Sequence, residues 1–106
     1  MKTQVLKIQL NNDANSLSTY VLIGNDKHEF TFSRKFNTIA NKQLQVINHD
    51  KSFGDIFKYN HHIINEVINI VRKFFQGENP TLPQYVGDFG TPEDALKLQK
   101  PFYKLP

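Results

Sequence analysis

Few residues in this chain offer chemistry, and the first to weigh are His61, His62 and Glu66. His62 and Glu66 stand four apart, which on a helix stacks them on one face, where an imidazole and a carboxylate could both meet a metal ion. A site needs a third ligand. The only other imidazoles are His28 and His49, and spacing brings neither there. The pattern is not HExxH, so the pair reads as a polar helix surface with a charge pair one turn apart. No metal and no other cofactor is expected.

Catalytic groupings are equally thin. Asp13, Asp26, Asp50, Asp55 and Asp88 fall among turns and caps, where aspartate serves the backbone. Ser16, Ser18, Ser33 and Ser52 lack a nucleophile elbow, and no glycine-rich phosphate loop follows a strand. Asp88-Phe89-Gly90 spells a kinase triplet with none of the kinase's other motifs around it. The chain has no cysteine, which removes disulfides, thiolate metal sites, redox chemistry and thiol nucleophiles together. Pockets of about 300 Å³ or more are hard to build in so small a domain, and the expectation is no enzyme and no catalytic residue.

Nucleic acid is the stronger alternative. Lys7, Lys27, Arg34, Lys35, Lys42 and Lys51 lie in or beside expected strands, with Tyr20, Phe30, Phe32 and Phe36 among them. Aromatics exposed on a sheet and flanked by lysines would stack single-stranded bases. Parity argues against this, because the same phenylalanines are needed to face a helix. Lysine outnumbers arginine eleven to two, so only Arg34 and Arg72 supply a bidentate fork for phosphates or base edges. That lysine excess, with eleven Asn and nine Ile, also suits an AT-rich genome, bacterial or phage.

The elements that must position these residues follow from periodicity. Residues 3–10 alternate, with Leu6, Ile8 and Leu10 opposite Lys7 and Gln9. Asn11–Ser16 is turn chemistry, Ser18–Ile23 a second strand, Gly24-Asn25-Asp26 a hairpin turn and His28–Arg34 a third strand. A polar stretch, Asn37–Asn41, leads to a fourth strand over Gln43–Asn48. Connections this short make an antiparallel meander over residues 1–50. One long amphipathic helix is expected over 52–77, capped by Ser52 and stopped by Gly77, with a broad apolar arc from Phe53 to Phe75. Its roughly 36 Å would overhang strands of about 20 Å. Asn60, in the middle of that arc, is either a buried, hydrogen-bonded residue or the mark of an interface edge.

Residues 78–106 read as an irregular tail, with Thr91-Pro92-Glu93-Asp94 opening a short helix near 92–99. The fold class is α+β, one domain of 106 residues: a four-stranded antiparallel meander, a long helix across it, and the tail. Apolar residues make up 39% and charged residues 22%, enough to build a core. The net charge of +3 is too small for a dedicated nucleic-acid binder, although residues 1–53 hold seven basic and four acidic groups. No apolar run reaches a membrane span and the N-terminus lacks signal-peptide character, so a cytoplasmic location is expected. The favoured function is a small interaction domain that binds another protein, a second copy of itself included, through its long helix and apolar C-terminal tail. Its expected contact residues are Tyr85, Phe89, Phe102, Tyr103 and Leu105, apolar groups in the tail.

Overall fold

Two-residue turns organise the first half of the chain. In the computed structural model, which describes residues 1–90, β1 (Lys2–Leu10) and β2 (Ser16–Ile23) are followed by β3 (Asp26–Ile39) and β4 (Lys42–His49). Gly24, at φ +60°, opens the turn between β2 and β3, where a primed turn matches the twist of the strands. Ala40 and Asn41, at φ 52° and 65°, form the turn between β3 and β4. Residues 37–41 are therefore not a polar connection, because β3 runs on to Ile39 and pairs it with Lys42.

The helical region departs most from expectation. Instead of one helix over 52–77 there are two, α1 (Lys51–Ile56) and α2 (His61–Phe75). Ser52 is not the cap. Asp50 is, accepting from the Phe53 N–H at 2.9 Å and from the Ser52 hydroxyl at 3.0 Å. The break falls at Asn60, whose side chain leaves the helix axis to bond the backbone of Gly90. Asparagine competes with helical hydrogen bonding in this way and is favoured just before a helix. Gly77, at φ +90°, ends α2 as the sequence implies. Its N–H reaches the Phe74 carbonyl, and the Glu78 N–H reaches that of Lys73.

The tail contributes a strand, β5 (Gln84–Asp88), which pairs antiparallel with β1 and makes the sheet five-stranded in the order β4-β3-β2-β1-β5. The α+β class stands, while the four-stranded meander gains an edge strand from a segment expected to be irregular. Parity is also corrected in β1. A bulge between Val5 and Lys7 sends Leu6 to the outer face and leaves Thr3 and Val5 buried, with Ile8 partly covered and Leu10 exposed. Thr91-Pro92 and the expected short helix lie outside the described residues.

The core is one layer between the inner sheet face and the helices. Phe53 from α1 meets Phe32 at 4.9 Å and Phe30 at 5.3 Å edge-on, and Phe57 lies 5.1 Å from Phe53. Such pairs add about 0.5–1.5 kcal/mol each beyond area burial. Ile63, Val67, Ile70, Val71 and Phe75 of α2 complete the layer, while the opposite arc, from Asp55 to Gln76, is exposed.

The helices do not overhang the sheet; the sheet overhangs them. At 1.5 Å per residue α2 is about 22 Å long, whereas the 14 residues of β3 span about 46 Å. Pairing between β2 and β3 ends at Ser16 and Ser33. Beyond it, among the described residues, the strand segment Arg34–Ile39 has Lys42–Ile47 as its one strand partner, making a two-stranded arm.

Candidate functional site

The arm is little covered by the described residues, and alternation decides what it presents. Even-numbered residues of β3 face inward, so Phe36 continues the core row of Phe30 and Phe32 beyond the point where a helix lies beneath it. The outer row pairs Lys35 with Val46, Asn37 with Leu44 and Ile39 with Lys42. Exposure is 52% for Phe36, 58% for Ile39, 48% for Leu44 and 36% for Val46. Every residue from 35 to 44 is exposed.

A two-stranded ribbon is marginal by itself, and Arg34 anchors this one. Its guanidinium lies 5.3 Å from the Phe36 ring centroid and 5.0 Å from that of Phe75. It donates to the Phe75 carbonyl at 2.9 Å and, through Nε, to the Asn15 side chain at 3.1 Å. A cation placed on the final carbonyls of α2 also complements the helix dipole. The Arg34 N–H bonds the Asn15 carbonyl at 2.9 Å, so the β1–β2 loop holds the arm's base as well. Arg34 is thus a brace between arm, helix end and loop.

The other basic residues divide between two places. Lys7, Lys27 and Leu6 line an outer-face depression of about 330 Å³ with Tyr20, and the Lys7 ammonium stands 5.9 Å over the Tyr20 ring. Hydrogen bonding to Glu29, followed by burial, raises the Tyr20 pKa. Lys35 and Lys42 are exposed on the arm. Phe30 and Phe32 are core residues, so the expected stacking platform reduces to Tyr20 on the outer face and Phe36 on the arm.

His62 lies beside β5 rather than at a metal site. Its Nε2 is 3.0 Å from the Asp88 carbonyl, and a Cβ on Gly87 would come within 2.8 Å of its ring. That close approach, at φ +134°, is why position 87 needs glycine. Among the described residues no group of three His, Cys, Asp or Glu side chains is placed to hold a metal ion.

Of the contact residues expected in the tail, Tyr85 is exposed on β5. Its hydroxyl donates to the Asp88 carboxylate at 3.1 Å, and Lys2 lies 5.8 Å over its ring. The bond to Asp88, then burial, raises its pKa. Phe89 is half-buried, edge-on to Phe57 at 5.8 Å. Phe102, Tyr103 and Leu105 lie outside the described residues. Asn60 is 3% exposed and follows the first of its two readings: it donates to the Gly90 carbonyl at 2.9 Å and accepts from the Gly90 N–H at 2.8 Å.

Sequence reasoning missed the arm. Its signals were Thr38 and Ile39, strand-forming residues inside the stretch 37–41 read as a loop, Phe36 just before it, and an asparagine in a two-residue turn. Set against protein-family models, curated proteins and solved structures, the chain matches none.

Proposed function

We propose that the chain is a small non-enzymatic interaction domain, an adaptor, inhibitor or regulatory protein, whose main contact surface is the arm formed by β3 and β4. One observation carries this reading: Ile39, Leu44 and Val46 on the outer row and Phe36 on the inner row stand exposed on a braced ribbon, and among the described residues no helix lies beneath it. Exposed apolar groups clustered on one face, as Ile39, Leu44 and Val46 are, mark partner surfaces. Tyr85, Phe89, Phe102, Tyr103 and Leu105 are further contact residues in this reading; loss of partner binding on deleting residues 101–106 with the fold intact supports them, and unchanged binding refutes the tail's part.

The arm is tested with immobilised wild type beside the double variant Ile39→Lys, Leu44→Lys. Retention of a protein by wild type and its loss from the variant, at unchanged circular dichroism, is the expected result. Equal retention by both refutes the arm as the contact surface.

The juxtaposition of Lys7, Lys27 and Tyr20 favours a second reading, contact with single-stranded nucleic acid. A mobility shift at low salt that weakens as salt rises, and is lost in Lys7→Ala, Lys27→Ala, supports it. No shift at low salt eliminates it.

A further inference from the structure

The two edges of the sheet are built differently. The β5 edge is five residues long, follows Pro83, has a register shift opposite Thr3 and Gln4, and contains Gly87 at φ +134°. These are devices that keep an edge from recruiting another strand. The β4 edge has none of them. From Gln43 to Asn48 it carries no charge and no proline, and its register with β3 runs unbroken from His49 to Lys42. Among the described residues no strand lies on its far side.

The geometry of that edge is determinate. Ile39 and Lys42 close a two-residue turn and form the first hydrogen-bonded pair of the ladder. Even-numbered residues of β4 therefore turn their backbone groups toward β3, consistent with the Asp50 N–H bonding the Thr31 carbonyl at 3.0 Å. Gln43, Gln45 and Ile47 turn theirs to the open edge.

A second observation lies at the middle of this edge. The Gln45 side-chain nitrogen is shielded from solvent and has no hydrogen-bond partner among the described residues, which is unfavourable for an amide.

Resting on the interaction reading above, we infer that the partner of the arm is a second copy of this chain, added edge to edge, β4 against β4, about a two-fold axis at Gln45. Antiparallel pairing about that axis sets Gln45 opposite its own copy, Leu44 opposite the second copy's Val46, and Lys42 opposite its Asn48. No like charges are directly opposed, and the two apolar residues of the outer row form cross-strand pairs on both sides of the axis. The orphaned amide gains a partner by turning toward the edge, where the identical amide of the other copy offers both a donor and an acceptor. The surface is self-complementary, as a two-fold interface requires, and the product is a continuous ten-stranded sheet. An edge of seven residues buries less than the roughly 1,200–2,000 Å² of a tight interface, so the association is weak and concentration-dependent.

The test is light scattering of the full chain from about 10 to about 500 μM. Wild type rises from the 12.3 kDa of one chain toward twice that mass. Gln45→Pro removes an edge-facing N–H without touching the β3 ladder and raises the dissociation constant at least about tenfold. Should that variant fail to fold, Leu44→Lys, on the exposed outer row, carries the same expectation. The chain's lack of cysteine allows a register test: Gln45→Cys cross-links to its copy under mild oxidant, since hydrogen-bonded antiparallel partners stand about 5.5 Å apart at Cα. Wild type monomeric throughout overturns the inference, as does a dimer unaffected by both substitutions. Cross-linking through Val46→Cys or Tyr85→Cys in preference to position 45 overturns the register and the edge. A monomer whose arm still captures another protein overturns self-pairing alone; a monomer whose arm captures nothing overturns the interaction reading with it.

Discussion

Replacing Asn60 by alanine is the sharpest probe of how this fold is joined. Asn60 ends the irregular corner between α1 and α2, and its amide donates one bond to Gly90 and accepts one from it, thirty residues on. The side chain thereby ties the helical layer to the chain leaving β5. Alanine removes two hydrogen bonds, each worth about 1 kcal/mol net, and leaves a half-buried N–H and C=O at Gly90 without their partner. The expected loss is about 2–3 kcal/mol, a large share of the roughly 5–15 kcal/mol of a domain this size. At about 4–8 °C per kcal/mol, the melting temperature falls by roughly 10–20 °C. Urea and thermal unfolding measure it, with Asn65→Ala on the exposed face of α2 as the control, expected within about 0.5 kcal/mol of wild type. Hydrogen exchange adds a local readout, because amides of β5 lose protection before those of β2 and β3. A loss below about 0.5 kcal/mol refutes the reasoning, since two bonds to a buried amide cannot then be important.

Arg34→Lys does not rescue Arg34→Ala, because an ammonium cannot stack between Phe36 and Phe75 while bonding the Phe75 carbonyl; both lose about 1.5–3 kcal/mol by denaturant titration, and full rescue by lysine counts against the brace. The turn variant Ala40→Asn, Asn41→Gly relieves the strain of alanine at positive φ and raises stability by about 1 kcal/mol; an unchanged melting temperature contradicts the turn geometry. Tyr85 holds its proton more tightly folded than unfolded, through the bond to Asp88, so that contribution is complete below the ordinary tyrosine pKa and fades as pH rises through the raised one. The difference in ultraviolet titration between wild type and Tyr85→Phe places its midpoint above about 10, and a midpoint at or below that value removes the bond's significance.

Local signals were legible where one residue's neighbours determine its state. The Gly24-Asn25 turn, the Gly77 stop and the division of helical residues into a buried and an exposed arc all follow from the backbone needs of glycine and from the 3.6-residue period. The same period hid the break at Asn60, because an arc that runs through a corner looks like one that runs through a helix. A single inserted residue in β1 reversed the parity assigned to Leu6, and no pattern of alternation announces a bulge in advance.

What the sequence by itself determined is an α+β chain whose first half is hairpins and whose second half opens with amphipathic helix, since both are written in short-range periodicity. It also determined the absence of thiol chemistry and the scarcity of arginine. Only the tertiary structure decided that β5 pairs with β1, that Asn60 answers Gly90 and that Arg34 braces an arm standing clear of the helices. Those relations join residues from 19 positions apart, at Arg34 and Asn15, to 86 apart, at Lys2 and Asp88 (88 − 2). Propensity is blind to such distances, and the length of an element says nothing about which layer ends first. The overhang inferred from helix length existed in the sheet instead, because a two-residue turn let β3 continue where a loop was expected.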